Sequence, residues 1–219
     1  MMAFQKELSP MRRLSLAVFA ALMMAPSLAL ASGPCPTGIP AQFKCGGPDM
    51  ADITAGTYKL DDTHAAVIAQ VPHIGYSRSI FRFDKLSGAL NWDPADLSKA
   101  RLNVTVETAS IATNVPGFAA KIAGDEMLKS KAFPTATFAS TAFRRTDATH
   151  GKVDGNFSLM GKTVPLTFDV ALVGAGGGFG QPRMGVTATA ALKPSDYGLA
   201  PVFGSAIDLV IDVEFEKVP

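Results

Sequence analysis

The clearest pattern along the chain is an alternation of apolar and polar residues between Val153 and Leu172. Because side chains on a β-strand alternate between its two faces, this alternation predicts two strands, each with one apolar and one polar face. Met160, Gly161 and Lys162 separate the two arms, and glycine takes the positive φ of a tight turn at little cost. The pattern therefore predicts a β-hairpin. A hairpin alone cannot bury its apolar face, so the rest of the chain must cover it.

Similar alternation predicts further strands on both sides of this hairpin. The predicted segments are 57–60, 65–71, 79–90, 102–106 and 135–145 before it, and 186–192 and 207–216 after it. One region differs, because Pro116 suits a first helical turn and the apolar spacing predicts a short α-helix over 117–129, although Gly124 weakens it. About eight regular strands with one helix predict a mainly β fold, an antiparallel sheet closed into a barrel.

The N-terminal segment is predicted to direct export. Lys6, Arg12 and Arg13 precede an apolar stretch at 14–30, and Ala31 completes a small-residue cleavage site. The apolar stretch is too short for a membrane anchor and contains a proline. Both Met1 and Met11 are suitable starts for such a segment.

These features predict three regions. We expect residues 1–31 to be a cleaved signal peptide, 32–55 an irregular leader rich in Pro, Gly and Ala, and 56–219 the barrel domain. The mature protein would then reside in the periplasm. Cys35 and Cys45 follow the predicted cleavage site, and in an exported protein such a pair typically forms a disulfide. Two free thiols in a loose leader are the alternative.

Composition and motifs exclude several function classes. The formal net charge is +1 and no basic stripe occurs, so nothing favours a nucleic-acid partner. The Gly-Lys-Thr sequence at 161–163 lacks the first glycine and the following helix of a phosphate-binding loop. His64, His73 and His150 are scattered, without the spacing of metal ligands. We therefore predict no catalytic residue, no metal site, no cofactor and no enzymatic activity.

Several segments, taken in order, resemble the YceI-like family of exported lipid-binding proteins. They are Tyr58-Lys59-Leu60-Asp61 with His64, then His73-Ile74-Gly75, Leu86-Ser87-Gly88, Lys129-Ser130 with Phe133-Pro134, and the central hairpin with Met160-Gly161-Lys162-Thr163-Val164-Pro165. The resemblance covers about residues 56–218 and depends on the order of the segments. Members of this family have a lipocalin-like β-barrel whose hydrophobic tunnel holds a polyisoprenoid chain. The resemblance therefore implies an apolar cavity with a bound isoprenoid lipid or quinone.

The function implied is that of an exported protein that carries or sequesters a long apolar lipid. Small residues such as Ala188 and Ala190 on the inward faces would leave room for it. The patterning alone fits a packed core equally well, because an eight-stranded barrel accommodates either. A packed core would indicate a periplasmic interaction or stress module without a lipid ligand.

The predicted cavity residues belong to the inward strand faces and to the helix, which we expect to act as a lid. They are Phe81, Phe83, Phe118, Ile122, Met127, Leu128, Phe138, Phe157, Ala188, Ala190, Leu209 and Ile211. Lys121 or Lys129 would meet a polar head group, although solvated lysines are the commoner interpretation. A transient contact with a membrane and a homodimer are both compatible with this function.

Overall fold

The computed structural model describes residues 35–219, so the predicted signal peptide lies outside the described residues. The elements are β1 (Gly56–His73), β2 (Ser77–Phe83), β3 (Leu86–Trp92), β4 (Arg101–Glu107), β5 (Ile111–Ala112), α1 (Phe118–Ala123), β6 (Thr135–Arg145), β7 (His150–Leu159), β8 (Lys162–Gly176), β9 (Arg183–Leu192) and β10 (Ile207–Lys217). Short 3₁₀ turns lie at Leu97–Lys99, Thr108–Ser110, Pro194–Tyr197 and Pro201–Phe203.

The strands form one closed antiparallel barrel. β2 and β3 both pair with β1 and follow one another along it, so together they act as one kinked strand. β4 and β5 pair with β3 and β2 in the same way and form a second kinked strand. β10 pairs with β1 and closes the ring. The result is an up-and-down barrel of eight strands with one helix, which confirms the predicted fold class.

The central hairpin of β7 and β8 forms as predicted. Met160 and Gly161, with φ of 51° and 75°, make the two-residue turn that such backbone angles favour. Val153 and Phe168 are paired and buried, whereas Asp169 beside them is exposed. A Cβ on Gly155 would lie 2.6 Å from the carbonyl oxygen of Ala139 and would overlap the Phe138 ring. Gly155 therefore lets β6 and the Phe138 side chain approach β7 closely.

Three boundaries differ from the sequence prediction. The predicted break between strands 57–60 and 65–71 is a bulge inside the single strand β1, where the register with β10 shifts between Asp61 and Ala65. The predicted strand 79–90 is divided at 84–85. The helix prediction was too long, because α1 ends at Ala123 and Gly124 takes an extended conformation. The following segment continues as turns, with the amide of Leu128 donating to the carbonyl of Ile122 at 2.9 Å.

The barrel has two distinct ends. At the end we call the closed end lie α1, the β7–β8 turn and the 3₁₀ turns at 194–197 and 201–203. The other end we call the hairpin end, after the hairpin of β6 and β7 whose loop at 146–149 lies there. The β3–β4 connection at 93–100 and the leader lie at the same end. β6 begins at the closed end and finishes at the hairpin end, so one strand connects the two.

The leader is fastened to the barrel wall at the hairpin end. A disulfide joins Cys35 and Cys45. Gly47 pairs with Ala175 of β8, with backbone hydrogen bonds of 2.9 and 2.8 Å. Ile53 is 1% exposed and belongs to the apolar cluster at this end. The segment before the barrel is irregular, but it contributes a buried side chain to the core.

Candidate functional site

A cavity of about 290 Å³ lies inside the barrel. Its walls are inward-facing aromatic and aliphatic side chains from both apolar clusters. The lining extends from Leu199 and Phe203 at the closed end to Met50 and Trp92 at the hairpin end. The inward side chains therefore leave an apolar space along the barrel instead of filling it.

Eight of the twelve predicted cavity residues belong to this lining. They are Phe81, Phe83, Leu128, Phe138, Phe157, Ala188, Leu209 and Ile211. The other four, Phe118, Ile122, Met127 and Ala190, lie outside the lining and belong to or pack against the closed-end core. The ring centroids of Phe118 and Phe81 are 6.0 Å apart, so the helix supports the cavity wall from behind. Contact of any of the twelve with a lipid remains a prediction.

Several lining residues were missed by reasoning from the sequence. In β6, simple alternation from Phe138 would place Phe143 on the outer face, but a register shift between Ser140 and Ala142 turns it inward. Leu199 and Phe203 lie in an irregular loop where no periodicity indicates a face. Trp92 could have been found, because it continues the inward alternation of β3 beyond the predicted strand.

The closed end is sealed by buried apolar side chains. Leu199 and Phe203 are 7% and 6% exposed, and Leu159 in the β7–β8 turn region is 7% exposed. The Tyr197 ring packs edge-on against Phe157, with centroids 5.5 Å apart. Burial raises the pKa of Tyr197 to about 12, so its hydroxyl stays neutral. Among the described residues, the lining at this end contains no charged side chain.

The hairpin end is different, because every charged residue of the lining comes from one segment, 144–152. Within it, the Arg144 guanidinium donates to Asp154 through Nε at 2.8 Å and Nη2 at 2.6 Å. The Asp147 carboxylate accepts hydrogen bonds from the backbone amides of Thr149 and His150, both at 2.8 Å. The bonds from Thr149 and from the His150 side chain hold the pKa of Asp147 down, at about 2.

One cluster of polar side chains lies on the barrel wall near the hairpin end. Asp61, His64 and Glu214 bring potential metal-ligand atoms within 4.8 Å of one another. Arg183 already occupies this cluster: its Nη1 donates to Glu214 at 2.6 Å and to Asp61 at 2.5 Å, and its Nη2 donates to Glu216 at 2.9 Å.

The guanidinium of Arg183 donates a hydrogen bond to each of these three carboxylates. Although burial opposes it, hydrogen bonds from Thr63, Arg183 and His64 hold the pKa of Asp61 well below its ordinary value. We interpret the cluster as an ion-pair network that fastens the β1 bulge to β9 and β10.

An eight-stranded antiparallel barrel around an apolar cavity is a lipocalin-type architecture, a fold used by binding proteins. The YceI-like domain profile matches residues 58–216. The chain therefore belongs to the YceI-like family. Within residues 35–219, no helix combines the length and apolarity that crossing a bilayer requires.

Relatives of comparable length support this assignment. A UPF0312 protein of Shewanella sp. (strain W3-18-1) is 33% identical over 167 residues, covering 73% of this chain and 87% of its own length. A UPF0312 protein of Enterobacter sp. (strain 638) is 32% identical over 166 residues, covering 73% of this chain and 86% of its own.

Solved structures share the fold at lower identity. BcnA of Burkholderia cenocepacia superposes with a TM-score of 0.63 at 18% identity, covering 71% of this chain and 98% of that one. The YCEI protein of Campylobacter jejuni gives 0.61 at 24% identity, covering 68% and 91%. A polyisoprenoid binding domain from Saccharophagus degradans, implicated in plant cell wall breakdown, gives 0.56 at 14% identity, covering 74% and 98%.

Proposed function

We propose that this protein carries or sequesters a long apolar lipid of the polyisoprenoid type inside its barrel. The observation that carries the proposal is the apolar cavity, whose lining runs from Phe203 at the closed end to Trp92 at the hairpin end. The polyisoprenoid-binding domain of S. degradans, which shares the fold, supports the same ligand class. A quinone with a prenyl tail has the same apolar chain and is a candidate ligand.

The hydrophobic effect is sufficient to hold such a chain without a charged anchor in the barrel interior. Burying hydrocarbon releases about 0.8 kcal/mol per CH₂ group. Dispersion contacts with the surrounding aromatic side chains add to this. Because a polyisoprenoid resides in a bilayer, loading requires a transient contact with a membrane.

We further propose that the protein works in the periplasm. The basic and apolar pattern of residues 1–31 supports cleavage of a signal peptide after Ala31. The disulfide between Cys35 and Cys45 supports an oxidising compartment.

Native mass spectrometry of the full-length gene product, purified from the periplasmic fraction of its host, tests both parts. The expected species is a chain beginning at Ser32 with one lipid bound, and organic extraction should release that lipid for identification. A chain without any lipid would favour the alternative of a periplasmic interaction module.

Replacing Ala188 by phenylalanine tests the cavity directly. Ala188 lies on the lining between Val170 of β8 and Ile211 of β10, so a phenyl ring there would occupy lipid space. We expect Ala188→Phe to reduce uptake of a fluorescent prenyl probe at least tenfold while the circular dichroism spectrum stays unchanged. The matched control is Thr189→Phe, because Thr189 is exposed on the outer face of the same strand. Equal uptake by both variants would contradict the assignment of the cavity.

A further inference from the structure

We propose that the hairpin end binds the polar end of the lipid, with Arg145 donating hydrogen bonds to acceptor oxygens of a phosphate or carbonyl head group. This inference rests on the proposed function and fixes the direction of the ligand: head group at the β6–β7 loop, apolar tail toward α1.

Charge is distributed unevenly along the cavity. The lining is apolar over most of its length, and its charged residues all belong to segment 144–152. At the closed end the lining consists of buried side chains such as Leu128, Leu199 and Phe203. A head group placed there would lose its hydration without a charged partner, which is costly. Lys121, on the helix at this end, is not part of the lining.

Arg145 lies on the inward face of β6, at the mouth of the cavity. Side chains of β6 alternate, and Phe143 faces the cavity, so Arg145 two positions later lies on the same inward side at the rim. Arg144 also borders the cavity mouth, but its ion pair with Asp154 holds its guanidinium on the other face of β6. The residue paired with Arg145 on β7 is Gly151, which has no side chain to occupy the rim.

Among residues 35–219, donors near this rim have no acceptor. Within residues 35–219, no carboxylate lies within 4.0 Å of the Arg145 guanidinium, whereas Arg144 and Lys152 each have one. The nearby carboxylate of Asp147 is already occupied by Thr149 and His150. The indole N–H of Trp92 is buried and has no hydrogen-bond partner among the described residues.

Trp92 lies beside Phe143, on the same inward side of the wall as Arg145. Its ring centroid is 6.1 Å from that of Phe143, the inward neighbour of Arg145 along β6. The rim therefore holds a guanidinium whose donor capacity no described protein group uses, beside an indole N–H that the protein covers. Oxygen-rich head groups are the chemistry that such donors recognise.

The test compares Arg145→Met with Arg101→Met, because Arg101 is an exposed arginine at the same end of the barrel and is not part of the lining. Three probes share an isoprenoid chain: geranylgeranyl phosphate, menaquinone-4 and squalene, which has no acceptor oxygen. We expect Arg145→Met to weaken binding of geranylgeranyl phosphate about tenfold or more, as for loss of a charge-assisted hydrogen bond. Squalene should bind both variants and the unmodified protein within about twofold, because only the hydrophobic effect holds it.

The probes also distinguish the two head-group chemistries. A loss confined to geranylgeranyl phosphate supports recognition of phosphate, and a loss confined to menaquinone-4 supports recognition of a carbonyl. Unchanged affinity of Arg145→Met for both probes, or an equal loss with Arg101→Met, overturns the inference but leaves the lipid carrier intact. Failure of the unmodified protein to bind any of the three overturns the proposed function as well.

The single tryptophan of the chain provides an independent test of direction. Quinone rings quench indole fluorescence at short range, and Trp92 lies at the hairpin end of the lining. We expect menaquinone-4 to quench Trp92 strongly at saturation and squalene to leave its intensity nearly unchanged. Weak quenching by bound menaquinone-4 would place the head group at the closed end and overturn the proposed orientation.

Discussion

The two ends of the barrel are stabilised by different interactions. At the closed end, Leu199 and Phe203 are buried and no charge faces the cavity. At the hairpin end, Arg183 joins three carboxylates across β1 and β10, and the disulfide-linked leader packs on β8. The apolar seal excludes water from the tail of a ligand, whereas the charged rim can face water and a polar head group. Because its two ends differ in this way, the cavity favours one orientation of a ligand that has a polar head group and an apolar tail.

The largest expected effect is at the closed end. Phe203→Ala should lower the free energy of unfolding by about 3 kcal/mol, since it removes a buried aromatic side chain from the seal. The neighbouring Val202 is 72% exposed, so Val202→Ala should change stability by less than about 0.5 kcal/mol. Denaturant unfolding of delipidated protein measures both, because bound lipid would stabilise the folded state by mass action. Similar losses of unfolding free energy in the two variants would show that burial of Phe203 does not stabilise this end.

A smaller loss is expected when the ion-pair network at the hairpin end is broken. The Arg183 side chain is 13% exposed, and Arg183→Met leaves Asp61 and Glu214 without their shared cation. We expect a loss of about 2 kcal/mol, less than for a fully buried pair because the glutamates are partly solvated.

Arg78 is the control for Arg183, because it pairs with Asp208 on the open surface, where its side chain is 53% exposed. Arg78→Met should cost less than about 0.5 kcal/mol. If the two variants lose the same stability, the Arg183 network has no special role in holding this end.

The smallest effect is a dependence on pH that is confined to the hairpin end. The pKa of Asp61 is lowered from 3.8, so its carboxylate stabilises the fold above about pH 4, and this contribution is lost as pH falls through the folded-state pKa. The pKa of His64 is raised from 6.5 by its hydrogen bond to Asp61, so its contribution is present below pH 6.5 and is lost as pH rises through the folded-state value.

Hydrogen exchange can locate this effect. Lowering the pH from 5 to 3 should increase opening of the β1 bulge and of the facing segment of β10, after correction for intrinsic exchange rates, while α1 and the turn at 201–203 stay protected. Asp61→Asn should flatten this response. A response of equal size at both ends would remove the electrostatic distinction between them.

The sequence by itself determined the local structure of this molecule, which is the faces of its strands and the position of its central turn. Alternation identified the faces of β7 and β8, and Met160-Gly161 identified their turn, because both signals depend on neighbouring residues. The same alternation, with the family resemblance, identified Phe81, Phe138 and Ala188 as inward-facing before any contact was known.

Only the tertiary structure decided what these inward faces enclose and where the cavity meets water. An eight-stranded barrel can be filled or hollow, and the outcome depends on how side chains from opposite walls meet, which no local pattern encodes. The bulge that turns Phe143 and Arg145 inward arises from pairing between β6 and β7. Within the Arg183 network, the hydrogen bond from Arg183 to Asp61 joins residues 122 positions apart, so the network forms only when β10 closes the ring on β1.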